Sequence, residues 1–272
     1  GECWTASIPQ LPYWQGGNDN KDGFNSNLPS IMDFPLRDAI AAALPNNNPG
    51  WGQGMTAVYD ILSHDFVYHD LSKMMIFAGN HDTDRIGDVV KKDPARLKIA
   101  NVLLATMRGY PQVFAGDEQM FVSCDLGMGH GGLRVDFPGG WPGDKMNLFT
   151  EEGRKAATKN TDGLDVPKGQ ADELLKHFTT LFQWRKGKEV IHNGKTMHFI
   201  TRDNTYAFFR YNDTDKVFVY INNSLEPKQI PWDYYSEINE GLGEGREVVS
   251  GEKMTITSET VVAPKSAIVV EY

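Results

Sequence analysis

The sequence has few cysteines, no long apolar run and no concentration of positive charge. Its two cysteines, Cys3 and Cys124, lie far apart in the 272-residue chain, so neither a disulfide framework nor a cysteine metal site is indicated. No stretch reaches the ~18 apolar residues of a membrane-spanning helix. Acidic residues outnumber basic ones by 36 to 27, and no Lys/Arg cluster forms the basic face typical of nucleic-acid-binding proteins. We therefore expect neither a membrane span nor a nucleic-acid partner.

What the chain does contain is enough apolar sequence for a folded core, arranged in two patterns. Hydrophobic residues make up 40% of the chain and charged residues 23%. Before Gly187, apolar strand-like segments alternate with segments of helical periodicity, which predicts β/α units around a parallel sheet. The strand-like segments are SIMDF, KMMIFAGNHD and RGYPQVFAGDE, and the helical ones are PLRDAIAAAL, MTAVYDILSHDF, PARLKIANVLLATM and QADELLKHFTTLFQWRKG.

After Gly187 the pattern changes to short alternating segments separated by Asn, Asp, Gly and Pro turns. TMHFITRD, TYAFFRYND, KVFVYINNS and SAIVVEY are examples. This spacing is typical of an antiparallel β-sandwich. The sequence thus predicts an α/β part over residues 1–188 and an all-β sandwich domain over residues 189–272.

Polar side chains cluster where the predicted parallel strands end, which is where reactive groups stand in β/α folds. The clustered residues are Asp33; Asn80, His81, Asp82, Asp84 and Arg85; and Asp117 and Glu118. The opening GECW reads as another strand end, carrying Glu2. Carboxylates near aromatic residues suit sugar chemistry, because two acids can cleave a glycosidic bond and aromatic faces stack on sugar rings. The alternative is that these strand-end carboxylates form a solvated acidic surface that takes no part in catalysis.

Taken in order, these motifs resemble the α-amylase family of glycoside hydrolases. FAGNHDTDR followed by GYPQVFAGDE is similar to the family's strand-seven and strand-eight segments, and GECW to its strand-five segment. YWQGG…FNSNLPSIMDFPLRDAI looks like neopullulanase-like and cyclomaltodextrinase-like members. RVDFPGGW is similar to a loop of periplasmic starch-degrading members from gut bacteria, which favours a periplasmic or secreted location.

The resemblance implies a specific architecture. Residues 1–188 would be the C-terminal part of a (β/α)8 TIM barrel, running from the tip of strand five through strands six, seven and eight to helix eight. Residues 189–272 would form the β-sandwich domain that follows the barrel in this family. The chain would then need a partner, the missing N-terminal half of the barrel.

The resemblance also assigns roles to individual residues. Glu2 would be the catalytic acid/base, and Asp82 would stabilise the oxocarbenium-like transition state. The substrate-binding residues would be His81, Trp4, Trp14, Arg134, Asp136 and Trp141. Arg85 would support its loop electrostatically. The family nucleophile is an aspartate in a Gly-x-Arg-x-Asp motif on strand four, which would precede Gly1.

The sequence pattern Gly-x-Arg-x-Asp also occurs within this chain, at GLRVD, residues 132–136. In a permuted chain Asp136 would be the nucleophile. The motif follows the strand-eight segment, and its neighbours are glycines and FPGGW, with no strand before it and no helix after it. We therefore expect Asp136 to lie in a loop lining the cleft.

No metal or organic cofactor is predicted. NDNKDG, residues 18–23, imitates the start of a calcium loop, but Asn stands at the first position and Pro29 at the twelfth. A calcium ion held otherwise by this loop is the alternative to a polar turn. The histidines without ligand spacing are expected to be structural or exposed; they are His64, His69, His130, His177, His192 and His198.

The sequence thus predicts a fragment of a retaining α-glycosidase that hydrolyses α-linked glucans, namely maltooligosaccharides, pullulan, cyclodextrins or starch. The chain alone is expected to be inactive. One alternative is a non-catalytic fragment that binds α-glucan oligosaccharide without turning it over. The other is a purely structural piece that needs its missing half.

Overall fold

A computed structural model describes residues 1–123, 126–134, 150–152 and 168–272. The first sheet has three parallel strands in the order β1 (Ile31–Met32), β2 (Met74–Phe77) and β3 (Tyr110–Gln112). Ile31 lies opposite Met74, and Met75 lies opposite Tyr110. All three strands therefore end at the same edge of the sheet.

Four helices lie where the apolar periodicity predicts them: α1 (Phe34–Ala43), α2 (Met55–Ser63), α4 (Pro94–Thr106) and α5 (Lys168–Lys186). The four-residue helix α3 (Ile86–Val89) was not predicted. Short 3-10 turns lie at Pro12–Trp14, Asp65–Val67, Leu71–Lys73, Asp117–Gln119 and Leu126–Leu133. Among the described residues, no helix is both long enough and apolar enough to cross a bilayer.

Two of the helices begin with side-chain caps. Asp33 accepts a hydrogen bond from the Leu36 backbone N–H at 3.1 Å, and Asp93 accepts one from the Ala95 N–H at 3.0 Å. A proline lies in the first turn of each helix, where its missing N–H costs nothing. These caps satisfy backbone donors that would otherwise lack a partner, so α1 starts directly at the end of β1.

The C-terminal part begins with the short helix α6 (Glu189–His192) and is dominated by a six-stranded antiparallel sheet. A 3-10 turn at Trp232–Tyr235 leads into the four-residue helix α7 (Ser236–Asn239). The strands are β4 (Lys195–His198), β5 (Thr205–Tyr211), β6 (Lys216–Asn222), β7 (Lys228–Gln229), β8 (Glu244–Glu247), β9 (Lys253–Thr255), β10 (Val261–Val262) and β11 (Ser266–Glu271).

The large sheet has the order β4-β5-β6-β11-β8-β9, and β7 pairs with β10 in a two-stranded sheet. Its two faces pack differently because side chains alternate along each strand. Tyr206 and Phe208 of β5 lie in one core with residues of α1, α2 and α4. Phe209 and its neighbour Phe218 on β6 lie in a second core with Tyr235. The sheet therefore shares one of its two cores with the α/β part.

A buried arginine links three segments near the parallel sheet. Arg108 Nη1 donates to Asp33 Oδ2 at 2.7 Å, and Arg108 Nη2 donates to Asp65 Oδ1 at 2.7 Å. The arginine side chain is 3% exposed, Asp33 is fully buried and Asp65 is 12% exposed. Burial opposes the charge of Arg108, but the two carboxylates raise its pKa. The guanidinium therefore remains charged and holds the three segments together.

Candidate active site

Glu2 directly follows Gly1, whose backbone bonds to β1 and its neighbour Ser30. The Gly1 amino group donates to Ser30 O at 2.6 Å, and Met32 N–H donates to Gly1 O at 3.2 Å. These two bonds are the pattern of a parallel ladder, with Gly1 opposite Ile31. The exposed Glu2 side chain thus follows Gly1 at the edge where β1, β2 and β3 also end.

Three aromatic rings form a row along this edge. Trp4 stacks on Phe34, with ring centroids 4.9 Å apart and an interplanar angle of 16°. Phe34 in turn packs edge-to-face on Phe77 at 5.1 Å. Phe34 and Phe77 are buried, whereas Trp4 is 56% exposed. The Trp4 indole is therefore fixed on one side and free to contact a ligand on the other.

The segment after β2 holds Asp82 among basic groups. His81 Nε2 lies 3.2 Å from Asp82 Oδ2, and His130 Nδ1 lies 3.5 Å from Asp82 Oδ1. Arg134 Nη2 donates to Asp82 Oδ1, and Arg134 Nε donates to His81 O at 3.1 Å. The Asp82 backbone N–H donates to Asn80 Oδ1 at 3.0 Å, which fixes the turn. The positions of His81 and Asp82 are therefore fixed relative to each other. Arg134 contributes by binding both the Asp82 carboxylate and the His81 carbonyl.

The surroundings of Asp82 favour its ionised form. Desolvation acts against ionisation, but the hydrogen bond from Arg134 and the charges of His81, Arg134 and His130 outweigh it. The pKa of Asp82 is consequently held below its ordinary value. At neutral pH this position carries a fixed negative charge, which can stabilise a cationic transition state.

Arg85 joins the segment after β2 to the segment after β3 and to the 3-10 turn Leu126–Leu133. Its side chain is 1% exposed and donates to Leu133 O at 2.9 Å, Ala115 O at 3.0 Å and Asp117 Oδ1 at 2.9 Å. The guanidinium carbon lies 3.9 Å from the centre of the Phe114 ring. Because Leu133 precedes Arg134, these bonds help place Arg134 beside Asp82. The prediction that Arg85 supports the loop is confirmed by these contacts.

Not every strand-end carboxylate belongs to the site. Asp33 follows β1 at the strand end, as predicted, but its two oxygens cap α1 and pair with Arg108. Asp117 is buried against Arg85, and burial raises its pKa to about 7 despite the attraction of the guanidinium. Glu118 accepts a hydrogen bond from the Gly116 N–H at 2.8 Å. These three carboxylates serve the fold around the site.

Trp14 lies in a separate aromatic cluster of the N-terminal loop. Its ring packs edge-to-face on Tyr13 at 5.4 Å and on Phe24 at 5.7 Å, and it is 40% exposed. In the same loop, Asp22 accepts hydrogen bonds from Tyr13 Oη at 2.9 Å and from the Phe24 N–H at 3.0 Å, while Asp19 accepts one from Asn25 at 3.2 Å. Three carboxylate oxygens of this loop therefore accept hydrogen bonds within it.

Of the remaining predicted site residues, Asp136 and Trp141 lie outside the described residues. His130 is exposed as predicted, with 67% of its side chain accessible, and it also contacts Asp82. Nothing in its spacing from Asp82 indicates this contact, because a nonlocal loop brings the two together.

We expect Arg134→Gln to raise the pKa of Asp82 toward its ordinary value, because the substitution removes a hydrogen bond and a positive charge from the carboxylate. His130→Gln should raise it less, since His130 is the more distant partner. Carbon-detected NMR titration of the Asp82 carboxyl measures both. Arg246→Gln, which alters a distant pair with Glu271, is the matched control. An unchanged Asp82 titration in Arg134→Gln would contradict this account of the site.

Comparison with known families connects this site to a chemistry. The family model described as "Alpha amylase, catalytic domain" matches residues 24–215. The model described as "Cyclo-malto-dextrinase C-terminal domain" matches residues 196–271. The first match includes His81, Asp82 and Arg134, whereas Glu2 and Trp4 precede it.

Individual relatives agree with these matches. An alpha-amylase of Streptomyces lividans is 25% identical over 253 residues, covering 84% of this chain and 24% of that protein. A maltogenic alpha-amylase of Bacillus acidopullulyticus is 26% identical over 238 residues, covering 85% of this chain and 33% of that protein. The chain thus spans a quarter to a third of the length of these curated relatives.

Among solved structures, an alpha-amylase from Geobacillus thermoleovorans, complexed with acarbose, matches all of this chain with a TM-score of 0.69 at 17% identity, over 52% of its own length. At this identity the likeness shows a shared fold. Since the catalytic-domain model matches well over half of the sequence, the chain belongs to the alpha-amylase family of glycoside hydrolases.

Proposed function

We propose that this chain is part of a retaining α-glycosidase that hydrolyses α-linked glucans such as maltooligosaccharides, pullulan, cyclodextrins or starch. One observation carries the proposal: an ionised Asp82, held by Arg134, follows β2 at the sheet edge where Glu2 follows the segment paired to β1. Two carboxylates at one edge of a parallel sheet are the groups that glycoside hydrolysis requires.

In this proposal Glu2 protonates the leaving glycosidic oxygen and later removes a proton from the attacking water. Asp82 keeps its negative charge and stabilises positive charge developing at the anomeric carbon. His81 donates a hydrogen bond to the same sugar, and the exposed face of Trp4 stacks on a neighbouring ring. A further carboxylate attacks the anomeric carbon and forms the glycosyl-enzyme intermediate.

We propose that β1, β2 and β3 are strands six, seven and eight of a (β/α)8 barrel that extends to residue 188, with a β domain over residues 189–272. The exposure of the parallel sheet supports this. Ile31, Met74 and Ile76 are buried on one face; on the other, Met32 and Met75 are half-buried and Phe77 is buried. The partly open face is the one that the N-terminal half of the barrel would cover.

The coding sequence upstream of Gly1 tests the proposal most directly. A Gly-x-Arg-x-Asp motif at the end of a predicted strand would supply the nucleophile and support the enzyme. An upstream sequence with no such carboxylate would favour the alternative, a non-catalytic chain that binds α-glucan.

We expect Trp4→Ala to weaken maltotriose binding about tenfold, because the variant loses a large preformed contact surface. Isothermal titration calorimetry on residues 1–272 measures the effect. Phe66→Ala removes an aromatic ring that is 82% exposed and belongs to the 3-10 turn Asp65–Val67 before β2, so it should leave binding unchanged. Equal affinities for wild type and Trp4→Ala would exclude Trp4 from the substrate-binding surface.

A further inference from the structure

A cavity lies between the segment that leads into β2 and the start of the C-terminal sheet. It has a volume of about 640 Å³, within the size range of small-ligand sites. Its lining comes from within residues 62–72 and 192–198 and from Arg108 and Arg210. Residues 62–72 and Arg108 precede β2 and β3, whereas Asp82 follows β2. The cavity therefore lies toward the opposite edge of the parallel sheet from the candidate active site.

Arg210 of β5 is a buried cation in the lining of this cavity, with a relative exposure of 2%. Its Nη2 donates to Ile191 O at 2.8 Å and its Nη1 donates to the Thr196 hydroxyl, whereas its Nε has no hydrogen-bond partner. No carboxylate in the described part of the chain forms an ion pair with it. Burial and the charge of Arg185 lower its pKa to about 10, so the guanidinium is still charged at neutral pH. A buried charge normally has a counterion, and Arg210 lacks one.

The charged groups around Arg210 leave one positive charge uncompensated. Arg108 is shared between Asp33 and Asp65. Arg185 is 3% exposed and donates to three backbone carbonyl groups, and it too pairs with no described carboxylate. The charges of Arg185, Asp65 and Arg108 all act on Arg210. Three buried guanidinium groups are thus balanced by two carboxylates, and an anion in the adjoining cavity would supply the missing charge.

Two further side chains of the lining offer hydrogen-bond donors. The Tyr68 hydroxyl is buried without a partner, and burial raises its pKa, so it stays protonated and can donate. Lys195 is exposed and has no ion-pair partner among the residues whose placement is described. Both carboxylates of the lining, Asp65 and Asp70, already accept hydrogen bonds from neighbouring side chains. The lining therefore suits a ligand whose atoms accept hydrogen bonds.

We propose that this cavity binds a phosphate oxyanion through Arg210, Tyr68 and Lys195. A phosphate group carries about −1.5 to −2 charge at neutral pH and presents strong acceptor oxygens, so it matches donors beside an uncompensated positive charge. The same recognition serves free phosphate and the phosphate group of a small phosphomonoester, and the cavity has room for either. The site is independent of the proposed glycosidase function, because none of its three binding residues belongs to the candidate active site.

Isothermal titration calorimetry of residues 1–272 with inorganic phosphate at pH 7, at constant ionic strength, tests the proposal. We expect saturable binding of one phosphate per chain. Arg210→Gln should weaken it at least about tenfold, the effect of losing one hydrogen bond to a charged group. Lys253→Gln, which removes an exposed charge paired with Glu244 outside the cavity, should bind like the wild type. Glycerol 1-phosphate distinguishes the two sources: tighter binding than inorganic phosphate identifies a phosphomonoester, and equal or weaker binding identifies free phosphate.

Tyr68→Phe keeps the test valid if Arg210→Gln does not fold. The variant removes only a hydroxyl that has no partner, so urea unfolding in phosphate-free buffer should show no loss of stability. Phosphate binding should nevertheless weaken about fivefold, because one donor to the anion is lost. Absence of saturable phosphate binding by the wild type would overturn the proposal. So would wild-type affinity in Tyr68→Phe or in a folded Arg210→Gln, or an equal loss in Lys253→Gln.

Discussion

Purified residues 1–272 should show no significant turnover of maltooligosaccharides or pullulan. A retaining glycosidase needs two carboxyl groups ~5–5.5 Å apart, one of which attacks the anomeric carbon. Asp33 and Asp117 are committed to Arg108 and Arg85. In the proposed mechanism Glu2 transfers protons and Asp82 stabilises charge, so neither also serves as the nucleophile. Loss of a covalent nucleophile costs several orders of magnitude in rate.

Reducing-sugar release with Glu2→Gln as control measures this. Wild type and variant should be indistinguishable from a blank. Turnover at the rate of an ordinary amylase, abolished by Glu2→Gln, would show that this chain contains its own nucleophile. Asp136→Asn would then be the next variant to test, because GLRVD matches the sequence pattern of the family's nucleophile motif.

Arg108→Met should lower the free energy of unfolding by about 3–5 kcal/mol, the range found when one partner of a buried ion pair is removed. The substitution leaves the fully buried Asp33 and the nearly buried Asp65 without their cation. The apolar stem of methionine preserves most of the volume, so the loss reports the uncompensated charges more than a cavity. Urea denaturation at pH 7 gives the value.

Arg246→Met is the matched control. Arg246 is 49% exposed and pairs with Glu271 at the surface, where such pairs contribute about 1 kcal/mol or less. A double variant, Arg108→Met with Asp33→Asn, should recover part of the loss because one buried charge disappears. Equal stabilities of Arg108→Met and Arg246→Met would refute the assigned role of Arg108.

Local patterns in the sequence were sufficient for most elements of the fold. PLRDAIAAAL carries an apolar stripe, a proline near its start and Asp33 before it, and α1 (Phe34–Ala43) forms there. MTAVYDILSHDF was predicted as one helix, but α2 ends at Ser63 and a 3-10 turn follows at Asp65–Val67. Asp65 leaves the helix to bond Arg108, a tertiary contact that has no local signal.

The two-residue β7 and the four-residue α6 and α7 were not predicted. Elements this short contain too few residues to show a period, and packing against the large sheet decides them.

The sequence indicates which residues of the candidate site follow the strands, but it does not indicate which loop residues contact them. His81 and Asp82 could be chosen because they directly follow an apolar strand. The contact of His130 with Asp82 joins residues 48 positions apart in sequence number and has no spacing rule.

The shared core between the large antiparallel sheet and helices α1, α2 and α4 makes the C-terminal part a poor exchangeable module. Tyr206 and Phe208 lie in one apolar cluster with Ile40 and Leu103, and Asn204 bonds to the loop between α1 and α2. A chimaera that replaces residues 189–272 with the equivalent part of a relative would bring the wrong side chains to this junction. Recombination within the family must therefore carry both sides of the junction together, or repack it.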